Sequence, residues 1–311
     1  MAKTAKLHPG HFDSRCNISF RIEGRIMGQI VGAALLAHAP TIMLPKEVRY
    51  ELNEGKEISL VPGLHRFREE VMEVLKPDTV VLFDTHWFTT VEFCVSGHER
   101  RQGLYTSDEL PRGISQLPYD LKGNPALAQS IAEHATACGV RTTANEDPCL
   151  PIHYPTINIA HYLHGGEEWL SVSCAQTGET PDFLKVGEGV GRAIAESDRR
   201  VLLIASGSMS HRFWPLSQLH LHEASDPIHI SRPEAREADY ERLEWFYKGD
   251  HASVIDTMPE FLKHVPEARF GHYLMMAGAC GGRDWSWSGV RYSDYENATG
   301  TSQVHVWFAR P

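Results

Sequence analysis

Short, unbroken apolar runs punctuate the chain, with longer helix-period segments between them. Ile30–Leu36 (IVGAALL), Val80–Phe83, Leu170–Cys174 and Val201–Ala205 are continuous and rich in branched residues. Such runs suit strands buried on both faces of a parallel sheet. Val61–Leu75 reads as a helix with Leu64, Phe67, Val71, Val74 and Leu75 on one side, stopped by Lys76-Pro77-Asp78. Asn124–Cys138 reads as another, with Pro125 at its first position and Gly139 at its end. Ile157–Leu163, Phe183–Ala195, Pro233–Lys248 and a short Ala252–Met258 continue the helical series, and Pro259–His264 follows. Ala268–Cys280 is expected to be a tightly packed helix of small residues and methionine. Val91–Val95, Val140–Thr143 and Val304–Phe308 are further strands, and residues 103–112 and 147–155 are loops. The alternation predicts an α/β fold: a single-domain sandwich with a central, mostly parallel sheet flanked by helices. In such sheets chemistry collects at the carboxyl ends of the strands.

Polarity changes abruptly where these runs end. Leu36 is followed by Ala37-His38-Ala39-Pro40, Phe83 by Asp84-Thr85-His86-Trp87, and the Arg200 run by Ser206-Gly-Ser-Met-Ser-His211. Three strands ending in histidine are hard to ascribe to coincidence, even in a chain of 311 residues with 18 histidines. His153 lies in an irregular loop that can reach the same rim. Neutral imidazoles suit Fe, Zn, Cu or Ni, and two histidines with one carboxylate and open positions indicate non-haem Fe(II) and oxygen chemistry. The pattern alone does not say which histidine ligates and which moves protons. Gly187-Glu-Gly-Val-Gly191 is not a dinucleotide fingerprint, and Ser206-Gly-Ser-Met-Ser is not a nucleophile elbow.

Composition narrows the partners. The net charge of -10 argues against nucleic-acid and anionic-membrane surfaces, and no apolar run approaches a membrane span. The six cysteines are scattered without a CxxC pair, which reads as reduced thiols in a cytoplasmic protein. Residues 1–26 lack apolar periodicity, and Ile22-Glu23-Gly24-Arg25 matches a protease site used in expression fusions. They are expected to be a disordered leader or fusion remnant, leaving residues 27–311 as the catalytic domain.

Ala37-His38-Ala-Pro, Asp84-Thr-His86-Trp and Ser206-Gly-Ser-Met-Ser-His211-Arg together resemble the type III extradiol ring-cleavage dioxygenases, the superfamily of the protocatechuate 4,5-dioxygenase β subunit. Gly103-Leu-Tyr-Thr-Ser-Asp-Glu-Leu-Pro, Asn124-Pro-Ala-Leu-Ala-Gln and Gly300-Thr-Ser-Gln-Val are similar to the branch acting on 3,4-dihydroxyphenylacetate. The resemblance implies a homo-oligomeric enzyme that opens the ring of a catechol with O2 to a semialdehyde acid. It implies Fe(II), with Mn(II) suited to the same ligands. His38 and His86 match the two iron-binding histidines. The third ligand is a glutamate at the start of a small-residue helix, here Glu267, with His272 close by and Asp294 and Glu296 further off. His211 matches the catalytic acid/base. His153 falls where some members carry a second catalytic histidine, although Ile152-His-Tyr-Pro155 departs from their Asp-His-Gly-like turn.

Plainer readings stand beside these. Each histidine could be a hydrogen-bonded turn residue, and Glu267 a solvated charge favoured by a helix N-terminus. Other readings of the whole are a related enzyme for protocatechuate- or gallate-type catechols, a non-enzymatic metal-binding protein on the same fold, or a zinc hydrolase. An anionic substrate side chain would need a cation, for which Arg112, Arg212 and Arg269 are the candidates.

Overall fold

The computed structural model describes residues 27–311, together with the backbone of two short strands, Arg21–Ile22 and Arg25–Ile26, paired antiparallel. That hairpin falls within the expected leader; the rest of residues 1–26 lies outside the described residues.

Ten strands form the main sheet: β1 (Gln29–Leu36), β2 (Thr79–Thr89), β3 (Phe93–Ser96), β4 (Arg100–Tyr105), β5 (Leu117–Lys122), β6 (Thr142–Asn145), β7 (Glu168–Ala175), β8 (Arg200–Ser206), β9 (Gly289–Arg291) and β10 (Val306–Ala309). Their order is β9-β10-β1-β8-β2-β7-β3-β6, with β4 paired to β5 and β5 to the start of β7. The central strands β1, β8, β2 and β7 are parallel, so their carboxyl ends share one edge. Alternate residues of each central strand feed opposite cores. Ala33, Leu35, Val81 and Phe83 pack beneath α2 (Pro125–Ala137), α4 (Thr180–Glu196), α5 (Pro233–Lys248) and α6 (Gly271–Ala279). Ala34, Leu36, Val80 and Leu82 pack against α1 (Leu60–Phe67) and α3 (Tyr154–Leu163). Each buried Leu or Phe contributes about 1.5–3 kcal/mol, and shifting a strand by one residue would exchange its two faces. The hydrophobic pattern therefore fixes where every strand ends.

The helices begin and stop as their caps dictate. Asn124 caps α2, its side chain accepting from the Leu127 N–H at 2.9 Å. The helix starting at Leu60 runs through a π turn, Arg68–Met72, to Leu75, where Lys76 turns left-handed ahead of Pro77. The Gly187-Glu-Gly-Val-Gly191 segment is a packing device. A Cβ on Gly187 would meet the Met275 carbonyl, one on Gly189 the Ala135 backbone, and one on Gly191 the Ala279 carbonyl. Glycine lets α4 seat directly on α6 and α2.

Three local expectations are corrected. β2 does not end at Phe83 but continues to Thr89 through a bulge, described below. Gly103–Tyr105 is strand rather than loop, because Arg100–Tyr105 pairs with Leu117–Lys122, a strand with too few apolar residues to announce itself. Ala268–Phe270 is not helical: φ is +45°, +58° and +62° at the three residues, and α6 begins only at Gly271. The five cysteines among the described residues are free thiols. Among the described residues, no helix is long and apolar enough to cross a membrane.

Candidate metal centre and active-site cavity

His38, His86 and Glu267 converge at the carboxyl edge of the central strands. One ligand atom from each lies within 4.8 Å of the others, and among the described residues this is the one cluster of that kind. Glu267 Oε1 lies 3.4 Å from His38 Nε2 and 3.5 Å from His86 Nε2.

His38 follows β1 directly. The Asn158 amide donates to its carbonyl at 2.9 Å, and its Nδ1 meets Ser206 Oγ at 3.0 Å, leaving Nε2 toward the cluster. His86 is delivered by a bulge. In the β2–β7 register Asp84 pairs with Ser173, but the next partner, Cys174, pairs with Phe88. Thr85, His86 and Trp87 are thus extruded from the ladder. The buried Asp84 carboxylate replaces the missing ladder bonds, accepting from the His86 N–H at 3.0 Å and the Trp87 N–H at 3.1 Å. Thr156 of α3 donates to its other oxygen at 2.7 Å. Glu109 accepts at 2.8 Å from His86 Nδ1, and Tyr154 OH meets Nε2 at 2.7 Å.

Glu267 arrives from the other side. Pro266 bridges Ser210 in the turn after β8, the Glu267 N–H donates to the Met209 carbonyl at 3.1 Å, and His211 N–H donates to the Val265 carbonyl at 2.9 Å. Val265 (φ +52°) precedes Glu267 and the left-handed run Ala268–Phe270 follows it. Glu267 is 5% exposed, which sets aside the solvated helix-terminus reading. Its Oε2 accepts from Ser208 N–H at 2.6 Å and Ser208 Oγ at 2.8 Å, and Thr85 Oγ1 donates to Oε1. Burial alone would raise this carboxyl. The facing His211 and His38, with hydrogen bonds from His38 and His86, outweigh burial and hold it well below its ordinary value. For His86 burial pulls downward, but Glu109 and Glu267 prevail and lift it to about 10. The position those carboxylates favour for a proton is one a bound cation would compete for.

His211 sits beside the cluster. Its Nδ1 is 2.7 Å from Ser208 Oγ and 3.6 Å from Glu267 Oε2, and burial pushes its imidazole down. The C-terminal hairpin, Glu296–Ala298 and Thr301–Gln303, braces this turn: Ser302 N–H donates to the Ser210 carbonyl at 2.9 Å. Gly300 adopts φ +110° where the Arg212 carbonyl passes close by. Buried Asp239 accepts from Ser210 Oγ and Tyr295 OH, each at 2.6 Å.

A cavity of about 430 Å³ opens onto the cluster, lined by His38, Glu267, His211 and Tyr154 at its polar end. Its remaining wall is largely apolar, including Leu44, Leu52, Leu110, Phe213 and Leu219. This is the usual make-up of a small-molecule site.

The structure brings together four of the five expected site residues: His38, His86, Glu267 and His211. His153 it does not. That residue stands at the N-cap position of α3 without a side-chain capping bond, its ring stacked on Trp87 at 6.2 Å, and its neighbour Tyr154 lines the cavity instead. His272 is fully buried in α6, its ring packed against Gly207, and is outside the ligand cluster. Asp294 pairs with Arg291, and Glu296 accepts from Ser59 N–H, so neither enters the site. Arg112, Arg212 and Arg269 are exposed and do not line the cavity. Sequence reasoning missed Asp84, Thr85, Glu109, Tyr154 and Ser208 as supports. All five lie inside quoted segments, so the signal was present without a partner to pair it with.

The family described as "Catalytic LigB subunit of aromatic ring-opening dioxygenase" matches residues 32–308. The 3,4-dihydroxyphenylacetate 2,3-dioxygenase of Escherichia coli is 29% identical over 271 residues, covering 84% of this chain and 96% of that protein. The 2-aminophenol 1,6-dioxygenase beta subunit of a Pseudomonas species is 24% identical, covering 81% and 86% respectively. A solved structure of an uncharacterized Escherichia coli K12 protein shares the fold, with a TM-score of 0.60 at 17% identity over 90% of this chain and all of that one.

Proposed function

The chain belongs to the LigB family of aromatic ring-opening dioxygenases, and on that premise we propose that it is an Fe(II)-dependent extradiol dioxygenase opening the ring of a catechol to a semialdehyde acid. The observation that carries this reading is the meeting of two imidazoles and one carboxylate, within 4.8 Å, at the polar end of an apolar cavity beside a further buried histidine. Two histidines and a carboxylate are the donor set of oxygen-activating non-haem iron. The support for each donor fits a resident metal: Ser206 behind His38, Glu109 behind His86, and Ser208 and Thr85 behind Glu267. When bound, Fe(II) supplies the positive charge that stabilises a deprotonated catechol and a route for electrons between catechol and O2.

The remaining work falls to the protein. His38, His86 and Glu267 would hold the metal. Ser208 engages His211 at Nδ1, and the imidazole lines the cavity, which leaves its other nitrogen free to take a proton from a catechol hydroxyl and return it later. Tyr154 OH lies against His86 and offers a hydrogen bond to a substrate oxygen. His153 is given no step. The apolar wall orients the ring and excludes water from it. 3,4-Dihydroxyphenylacetate, the substrate in the name of the Escherichia coli relative, is the reference member of the catechol panel.

The test is anaerobic reconstitution with Fe(II), then O2 uptake with a panel of catechols. Uptake with a yellow ring-opened product is expected, and its absence with every catechol would defeat the reading. His211→Phe should retain iron and lose about 10²–10⁴-fold in turnover. Full turnover by that variant would remove the acid/base role. Zinc retained in preference to iron, with hydrolytic activity, would favour a different chemistry on the same residues.

A further inference from the structure

The charges around the cavity bear on the substrate's side chain. Among the described residues, no lysine or arginine lines it, while Glu109, Glu223 and Glu267 do. Glu109 is engaged with His86, and Glu267 with the ligand cluster. Glu223 is different: it stands in the wall with Leu219 and Phe213, and among the described residues no basic side chain pairs with it. The nearby cations are committed or turned away. The Arg49 guanidinium is bound by Glu57, at 2.7 Å through both Nε and Nη2, and also donates to the Leu44 carbonyl. Arg101 donates to the Leu150 carbonyl. Arg112, Arg212 and Arg269 are exposed and outside the lining.

With Glu109 paired to His86 and Glu267 committed to the metal, a substrate carboxylate reaching the apolar wall would face Glu223 and, among the described residues, no lysine or arginine. Burying a charge without a partner is costly, and placing it near like charges adds repulsion. An ammonium group at the end of a short alkyl arm meets the opposite situation, with apolar wall for the arm and an uncommitted carboxylate for the head. We propose that this cavity selects catechols carrying a protonated amine on a short apolar arm, with Glu223 as the counter-ion, and discriminates against catechols carrying a carboxylate. This rests on the reading of the cavity as a catechol site and deepens it. It also separates this chain from the carboxylate-bearing substrate named for the Escherichia coli relative.

The test compares three catechols that differ only at the 4-substituent: 2-aminoethyl, ethyl and carboxymethyl. Their dissociation constants are measured on the Fe(II)-loaded protein without O2, at low ionic strength. The aminoethyl compound should bind at least about tenfold more tightly than the carboxymethyl compound, with the ethyl compound between them. Glu223→Gln should erase the aminoethyl-over-ethyl preference, whereas Glu237→Gln, on the exposed face of α5, should leave it intact. Carboxymethyl binding as tight as aminoethyl binding would overturn the proposal. Persistence of the preference in Glu223→Gln would overturn the counter-ion assignment. O2 uptake with 4-ethylcatechol is recorded in parallel. Its absence would count against ring cleavage, while the binding order still decides the charge selectivity.

Discussion

The two histidines and the glutamate of the cluster reach one point by different physics. His38 and His86 are carried by neighbours of β8 in the parallel sheet, whose register is set by residues buried on both faces. Glu267 is carried by a turn with left-handed backbone at Val265 and at Ala268–Phe270, none of them glycine. Such conformations are costly for residues with a Cβ and persist only where the surroundings impose them. Here the surroundings are the Ser210–Pro266 bridge, the Met209 and Val265 carbonyls, and the donors Ser208 and Thr85. One side of the site rests on a well-packed sheet, with Asp84 shaping the bulge that aims His86; the other is held throughout by polar contacts between distant segments.

Removing either kind of ligand should give the largest effect and the same functional outcome. His86→Ala and Glu267→Ala should each weaken metal binding by at least ~100-fold, beyond the range typical for losing a supporting residue. Stoichiometric iron in either purified variant, by metal analysis, would refute the ligand assignment. The metal-free proteins should differ. Glu267→Ala orphans the buried Ser208 N–H and the Thr85 hydroxyl, a cost of about 1–3 kcal/mol in urea unfolding. His86→Ala leaves the Asp84-supported bulge intact and should cost less. Equal losses would mean that both sides depend on the cluster alike.

The bulge is the next place to press. Asp84→Ala removes the acceptor of two extruded N–H groups and of the Thr156 hydroxyl. A loss of about 2–3 kcal/mol in stability is expected, together with a 10–100-fold fall in metal affinity as His86 loses its aim. Wild-type iron affinity in a destabilised Asp84→Ala protein would show that the sheet alone places His86.

This difference also explains what the sequence made legible. His38 and His211 could be found because an apolar run ends just before each, and burial periodicity is a local property of the chain. His86 was found for a slightly wrong reason. The polarity change at Asp84 marks a bulge inside a strand, and a bulge depends on a register that only the partner strand reveals. Glu267 was placed by resemblance beside an expected helix start, whereas the chain there is left-handed because Ser208, Met209 and Ser210 lie across from it. No local propensity encodes that contact. The β4–β5 hairpin was missed for a similar reason: Arg100–Tyr105 and Leu117–Lys122 are mostly exposed and carry little hydrophobic signal. His153 drew attention by its loop position and its match to a second family histidine, yet Tyr154 beside it lines the cavity, a choice made by the direction in which α3 begins.

Left-handed strain makes a smaller, signed prediction. Ala268→Gly relaxes φ +45° and should be neutral to stabilising by up to about 1 kcal/mol, because it removes a Cβ penalty while loosening the unfolded chain. Ala268→Val should destabilise, since a β-branched residue tolerates that region poorly. Denaturant midpoints of the two variants measure both. If valine were as well tolerated as glycine, the turn would not be the strained half of the site.

The smallest effect concerns the brace on the turn. Glu296 lies in the C-terminal hairpin that supports Ser210, with Oε1 accepting from Ser59 N–H at 2.7 Å and Oε2 buried without a partner among the described residues. Burial, opposed by hydrogen bonds from Ser59 and helped by repulsion from Asp294, raises its carboxyl to about 7 from an ordinary 4.5. Between those values the folded protein keeps a proton that the unfolded chain has released, so stability must fall as pH rises. Glu296 contributes fully below about pH 4.5 and its contribution is gone above about pH 7, an upper bound of about 3 kcal/mol. Glu296→Gln keeps the acceptor for Ser59 and removes the titration. The stability of the variant relative to wild type should therefore climb from pH 4.5 to 7 and level off, by urea unfolding at a series of pH values. A difference independent of pH would mean that the hairpin carries an ionised Glu296 without cost, and that the brace is as indifferent to pH as the hydrophobic register of the strand that carries His38.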